Sequence, residues 1–304
     1  MPVLASEVVN YLRPRRSESL LIDATVGQGG HSLLFLDSFP LLHVVGVDAD
    51  PRMLEHAGKR LESYADRVEL VHSWYDEFLV GYDRQTPPDR ILFDLGISMV
   101  HLVSGDRGFS YRDEAALDMR LNPEEERTAL DAIRELPQEE LANVIYTYGE
   151  ERLSRRIAAA LKRERVETAA EAAGAIKGAV PPKYRYGRLH PATRTFQALR
   201  IWVNRELERL ERALPAAVSL LAQGGVVGVI SFHSLEDRMV KRFFRKLSTS
   251  PEEAPTSFDG KEYRLELLTK KPVTPGDAET AENPASRSAK FRVARKVEAP
   301  GGSR

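Results

Sequence analysis

The sequence predicts an α/β protein built on a doubly wound, mainly parallel sheet. Two observations carry this. Three short apolar runs each stop at an aspartate: Leu20-Leu21-Ile22 at Asp23, Val44-Val45-Gly46-Val47 at Asp48, and Ile91-Leu92-Phe93 at Asp94. Helical patterns separate the runs, and the first passes straight into the glycine turn Ala24-Thr25-Val26-Gly27-Gln28-Gly29-Gly30-His31. Apolar strands alternating with helices form parallel sheets whose ligands bind beyond the carboxyl ends of the strands. All three aspartates are therefore expected on one ligand-binding edge.

The elements follow in order. A strand over 20–23 leads to a helix from about residue 30, and a strand over 44–48 leads to a helix over 52–63, with Pro51 suited to a first turn. Strands over 67–71 and 90–94 come next. From Ser104 to about Thr195 the strand pattern is replaced by short helical signals. Thr128 with Asp131 and Thr168 with Glu171 have capping-box spacing, and Leu153, Ile157 and Leu161 share one helical face. Phe196, Leu199, Val203, Leu207, Leu210 and Leu214 then form a helical stripe. Val226 to Ile230 reads as a buried strand behind Gly224-Gly225, and Leu235, Met239, Phe243 and Leu247 as another helix. Tyr263 to Leu268 and Ser288 to Arg295 are expected to pair as closing antiparallel strands, with Ala289, Phe291 and Val293 inward. Residues 248–260 and 270–286, rich in Pro, Ser, Thr and acids, are expected as mobile loops. The predicted organisation is a discontinuous core, 1–103 and 196–304, carrying a helical insert over 104–195.

Composition narrows the function classes. At 304 residues the chain is long for one core, and 42% hydrophobic with 29% charged residues is the balance of a soluble globular protein. A net charge of -1 excludes a general polycation, so nucleic-acid contact has to come from local patches. The absence of cysteine excludes disulfides, thiolate metal sites and cysteine nucleophiles, and fits a reducing cytoplasm. Seven scattered histidines without a helical His-x-x-x-His pair give no expectation of a metal site. Met1 to Leu12 is mildly amphipathic, but its arginines follow the apolar residues, the wrong order for a signal peptide. No apolar stretch approaches the roughly 18 residues of a membrane span. A cytoplasmic location is expected.

The glycine turn selects among nucleotide-like ligands. A dinucleotide fingerprint needs Gly-x-Gly-x-x-Gly, and here the sixth place after Gly27 and Gly29 is Ser32. Asp23, four residues before Gly27, instead makes the acidic-x-x-x-Gly-x-Gly pattern of S-adenosylmethionine (SAM) methyltransferases. In that pattern Asp48, at the next strand end, accepts from ribose hydroxyls. A tight strand-to-helix turn with a coincidental aspartate is the alternative.

Four further blocks carry chemistry. Asp94-Leu95-Gly96-Ile97-Ser98 sits where amino-methyltransferases place Asp/Asn/Ser-Pro-Pro-aromatic to accept from a target amine; without the prolines it is a variant, or a buried aspartate orienting a loop. Arg107-Gly108-Phe109-Ser110-Tyr111-Arg112, with Asp118-Met119-Arg120 behind it, suits stacking an unpaired base while holding phosphates, or is a solvated charged loop. Lys183 to Arg205 holds six Lys/Arg and His190 without an acid, with Tyr184 and Tyr186 interleaved: a nucleic-acid surface, unless Arg200 and Arg205 only line a wet helix face. Ser231 to Arg238 follows the fifth strand. There Ser234 and Asp237 have capping-box spacing, and His233 is either a proton acceptor or structural. The final strand, with five Lys/Arg from Arg287 to Lys296, is a second candidate backbone-contacting patch.

These blocks, together with Tyr148-Gly149-Glu150-Glu151-Arg152, His190 to Arg200 and Asn283 to Arg292, occur in an order that closely resembles the MraW (RsmH) family of bacterial 16S ribosomal RNA cytosine-N4 methyltransferases. The resemblance covers nearly the whole chain. It implies a class I SAM methyltransferase core, Rossmann-like, with an inserted helical domain. The implied reaction carries methyl from SAM to the exocyclic amine of a cytosine in the decoding region of 16S rRNA, with the small ribosomal subunit as partner. Carried over by motif, the SAM contacts are Gly29, Gly30, His31, Asp48, Tyr75 and Asp94, with Tyr75 beside adenine. The family also uses a glutamine in Ser-Ser-Pro-Gln-Leu-Asp; this chain has Ser98-Met99-Val100-His101-Leu102-Val103, which puts His101 in that place. A family histidine before Pro-Val-Leu is replaced here by Met1. Because the amine lone pair is delocalised, methylation needs a proton acceptor and alignment. Asp94 is the first candidate, assisted by Ser98 or the Leu95 carbonyl, with Phe109 or Tyr111 stacking the base and His233 nearby. Arg107, Arg112, Arg188, His190 and Arg194 are the candidate RNA contacts. Two other readings stay open: an rRNA-binding assembly factor with SAM as structural ligand, and a SAM enzyme acting on a non-RNA substrate.

Overall fold

A computed structural model describes residues 2–15, 19–187, 189–249, 255–256 and 262–299. The chain divides into two compact units, Met1–Gly96 with Glu208–Arg304, and Ile97–Leu207.

The first unit is built on seven strands: β1 Ser19–Asp23, β2 Leu42–Asp48, β3 Val68–His72, β4 Arg90–Asp94, β5 Val226–Ser231, β6 Tyr263–Leu267 and β7 Lys290–Glu298. They form one sheet in the order β3-β2-β1-β4-β5-β7-β6. β1 pairs in parallel with β2 and β4, β2 with β3, and β4 with β5, whereas β7 runs antiparallel to both β5 and β6. Alternate residues serve the two faces. Ile22, Val45, Ile91 and Val227 pack with Leu210, Leu214 and Phe244 on one side, and Leu21, Val44, Leu92 and Ile230 with Val8, Leu12 and Phe35 on the other. Both faces are covered, as a parallel sheet requires. Strand order reverses between β1 and β4, which makes the carboxyl ends of those strands the switch point where such sheets bind ligands. Asp50 accepts from Arg52 N at 2.9 Å and caps the helix Pro51–Arg60, with Pro51 in its first turn as expected.

The closing pair forms as expected, with β6 at the edge of the sheet and β7 between it and β5. Residues 270–286 are not a loop throughout. Val273 bridges to Phe291, and the helix Asp277–Glu282 carries Glu279, whose Oε1 accepts from Leu4 N at 2.7 Å. Within 248–260, residues 250–254 and 257–260 lie outside the described residues.

The second unit is helical. Helices Ala129–Glu135, Gln138–Gly149, Ser154–Glu164, Ala169–Ala179 and Thr193–Asn204 enclose a core that includes Ile133, Ile145, Ile157, Leu161, Ile176 and Phe196. Both expected capping boxes form: Thr128 with Asp131 and Thr168 with Glu171. Its limits differ from 104 and 195. At the first, the helix Met99–Val103 belongs to it, with His101 against Phe109 at 5.2 Å between ring centres. At the second, Phe196, Leu199 and Val203 are buried in this unit's core, and Gly149 meets the backbone of Arg194 so closely that a Cβ would lie 2.5 Å from its carbonyl oxygen. Arg205 then adopts a left-handed φ of 49° and ends the helix. The stripe from 196 to 214 is two helices, and its last members, Leu210 and Leu214, pack in the first unit. Among the described residues no helix is long and apolar enough to cross a membrane.

Candidate active site

β2, β1 and β4 are neighbours, so Asp48, Asp23 and Asp94 end side by side. The glycine turn is stitched across these ends. Ala24 N donates to Leu92 O at 2.8 Å and Val26 N to Val47 O at 2.9 Å. Val26 packs so tightly on β2 that a Cβ on Gly46 would fall 2.8 Å from Val26 Cγ2, which explains the glycine inside that strand. Gly27 and Gly29 turn the backbone with φ of 51° and 76°, and at Gly29 a Cβ would meet Leu61 Cδ1 at 3.1 Å. Gly27 N donates to Asp48 Oδ2 at 2.8 Å and Asp50 N to Asp48 Oδ1 at 2.9 Å. Asp94 N donates to Thr25 Oγ1 at 2.6 Å, tying the end of β4 to the same turn.

Within this frame lies a compact group of buried polar atoms. Asp23 Oδ2 accepts from Ser32 Oγ at 2.7 Å. Among the described residues, Asp23 Oδ1, Asp94 Oδ1 and both ring nitrogens of His31 have no hydrogen-bond partner. His31 Nε2 stands 3.5 Å from Asp94 Oδ2, too long for a good hydrogen bond. Burial pushes the Asp23 carboxyl above its ordinary pKa; the Ser32 bond and His31 pull it down, the negative charge of Asp94 adds to the rise, and the rise prevails. Each unsatisfied buried atom costs about 1–3 kcal/mol, so the group suits a ligand rich in donors. A SAM ammonium and ribose hydroxyls are such donors. Gly29 caps and Gly30 opens the helix Gly30–Ser38, which carries His31 and Ser32. Tyr75 begins the helix Tyr75–Val80 and stands edge-on to Phe93 at 5.6 Å. These residues fit SAM.

At the end of β5, His233 has a structural task. Its N–H donates to Glu236 Oε2 at 3.3 Å, while Glu236 N donates to His233 Nδ1 at 3.4 Å, capping the helix Ser234–Thr249. The capping pair is thus one residue earlier than Ser234 and Asp237. Asp237 instead pairs with Arg292 at 2.7 Å and Lys290 at 3.2 Å. Arg295 pairs with Glu266, and Lys296 is buried, donating to the carbonyls of Ser219 and Leu221. Four of the five basic residues from Arg287 to Lys296 are thus paired or hydrogen-bonded within this unit.

The helical unit sorts its own candidates. Ser98 and His101 form a capping box: Ser98 N donates to His101 Nδ1 at 3.1 Å and Val100 N to Ser98 Oγ at 3.3 Å. Phe109 is 6% exposed and packs in this unit's core. Arg107 is 8% exposed and donates from Nη1 to the carbonyls of Arg120 and Leu121, both at 3.0 Å, bracing the loop. Tyr111 stacks face to face on His190, 4.1 Å between centres and 6° between planes, with the Arg112 guanidinium 5.8 Å from its ring centre. That stack joins two segments the sequence separates by nearly eighty residues. Burial, then Lys177 and Arg112, lower the His190 pKa. Tyr184 donates its hydroxyl to buried Glu151, and Arg200 pairs with Glu206 at 2.7 Å, while Tyr186 is 87% exposed. Arg194 reaches the Glu150 carbonyl at 3.3 Å but stays exposed, like Arg112. Arg188 lies outside the described residues.

The MraW methylase family model matches residues 1–297. The chain belongs to the MraW methylase family. It is a methyltransferase, and SAM is its cofactor. Ribosomal RNA small subunit methyltransferase H of Treponema denticola is 47% identical over 304 residues, covering 97% of this chain and 96% of the relative. The protein of the same name in Synechococcus elongatus is 46% identical over 300 residues, covering 97% and 94%. Among solved structures, an rRNA methylase from Streptococcus thermophilus aligns over 97% of this chain and 94% of its own, with a TM-score of 0.43 and 10% identity. In this family member the contacts that sequence reading missed are those of Thr25 and Ser32. No local spacing links residue 25 to the backbone of residue 94, and only the sheet order brings them together.

Proposed function

We propose that this methyltransferase transfers methyl from SAM to the exocyclic amine of an unpaired cytosine in the decoding region of 16S rRNA, with Asp94 as the proton acceptor. The observation that carries the assignment is the Asp94 carboxylate: it is 25% exposed at the end of β4, with its backbone held by Thr25 and His31 3.5 Å away. SAM supplies an electrophilic sulfonium methyl when bound. Asp94 accepts a proton as the amine pyramidalises, with His31 beside its carboxylate. Asp23, Asp48, Gly29, Gly30 and Tyr75 hold the cofactor. Arg112 and Arg194, with Arg188, are the phosphate contacts of this reading, and the Tyr111–His190 stack joins their two segments. The relatives named for the small subunit's ribosomal RNA support the substrate.

Incubation with methyl-labelled SAM and, separately, small ribosomal subunits, naked 16S rRNA and bulk protein tests this. Label is expected on a cytosine amine of small-subunit RNA. Asp94→Asn should cut turnover roughly 100-fold or more, beyond any rise in the SAM dissociation constant. Label on protein, or RNA binding without transfer, would replace this reading with one of its two rivals.

A further inference from the structure

The segment that carries Tyr75 is gripped by a side chain distant in sequence. Arg209, in the helix Glu206–Leu220, donates from Nη1 to Asp76 Oδ1 at 3.0 Å and to Glu77 Oε1 at 2.8 Å. Its guanidinium also lies 3.9 Å from the ring centre of Trp74. The Arg209 side chain is 7% exposed and Asp76 is fully buried, with its second oxygen 3.1 Å from Arg212 Nη1. Trp74, Asp76 and Glu77 bracket Tyr75 on both sides. The helix they open, Tyr75–Val80, has six residues and no side-chain cap, far too short to hold its own geometry. A buried guanidinium whose Nη1 bonds two carboxylates while its plane lies on an indole fixes both position and rotation of what it grips.

We infer that Arg209 is a positioning residue of the cofactor site, setting the Trp74–Glu77 segment so that Tyr75 presents its ring to adenine. This rests on the reading of Tyr75 as the adenine neighbour. A purely structural Arg209 would affect melting alone. A positioning Arg209 affects SAM affinity with little effect on turnover at saturation.

The test uses Arg209→Lys, which keeps the charge but loses the planar stack on Trp74, and Glu77→Gln, which removes one partner's charge at a half-exposed site and should fold. Tyr75→Ala and the Arg209→Lys/Tyr75→Ala double variant complete the set. Melting temperature, SAM affinity by calorimetry, and KM and kcat with small-subunit RNA are measured for each. Arg209→Lys should raise KM for SAM about tenfold and Glu77→Gln about threefold, with kcat within about twofold and KM for RNA unchanged. The double variant should bind SAM no worse than the weaker single one, because both changes remove the same contact. Unchanged KM for SAM in Glu77→Gln and in any folded Arg209→Lys, or effects that multiply in the double variant, would overturn the inference while leaving the Tyr75 reading intact. Unchanged SAM affinity in Tyr75→Ala would overturn that reading and the inference with it.

Discussion

Asp23 is buried, with one oxygen held by Ser32 and the other, among the described residues, without a hydrogen-bond partner. Its folded pKa is raised from 3.8, chiefly by burial. A carboxyl that holds its proton more tightly folded than unfolded lowers stability once the pH exceeds the unfolded value, and has no such effect below it. Asp23→Asn should therefore melt about 2–4 °C higher than wild type at pH 7 without cofactor, lose that advantage below about pH 4, and bind SAM more weakly. Thermal melts across pH with calorimetric titration check both halves, and an equal or lower melting temperature at pH 7 would sink the account. The three strand-end aspartates were legible because an apolar run halted by an acid is a local pattern. Their partners were not, since Ser32, Thr25 and His31 reach them through tertiary contacts.

At the scale of elements, helix interiors were easier to read than helix ends. The stripe from Phe196 to Leu214 keeps its period across Arg205, so periodicity cannot reveal the left-handed break there. At the end of β5 the expected cap at Ser234 moves to His233 because Arg292 and Lys290 draw Asp237 away. Two glycines test how packing, rather than propensity, decides an element's tolerance. Gly149→Ala pushes a Cβ to 2.5 Å from the Arg194 carbonyl and should destabilise by about 1–3 kcal/mol through overpacking. Gly174→Ala, inside the helix Ala169–Ala179 with nothing within 4 Å of the new Cβ, should stabilise by about 0.5–1 kcal/mol. Denaturant midpoints measure both, and the same sign for the two would refute the packing argument.

For the whole molecule, a net charge of -1 hides a sorting of cations into structural and exposed sets. Lys290, Arg292, Arg295 and Lys296 are matched within their own unit, whereas Arg112 and Arg194 remain exposed. Arg112→Ala with Arg194→Ala should weaken RNA binding and flatten its log-log salt slope by roughly 1–2 units, at about 0.7 per phosphate on single strands, with SAM affinity unchanged. Arg292→Ala should instead lower the melting temperature and leave the slope alone. A salt series on RNA binding separates the two, and a slope unmoved by the Arg112/Arg194 pair would remove them from the RNA surface.

By itself the sequence determined the α/β class, the parallel strands and their aspartates, the glycine turn, the helical character of the insert and the methyltransferase family resemblance. Each of these is written in neighbouring residues, as period, turn chemistry or ordered motif. Only the tertiary structure decided which charges are available for function. Arg107 and Phe109 look like recognition residues in the chain and are buried braces in the fold. Tyr111 meets His190, and Arg209 meets the segment around Tyr75 across more than 130 residues. The physical reason is that burial and pairing depend on what arrives from elsewhere in the chain, and a side chain's residue type does not carry that information.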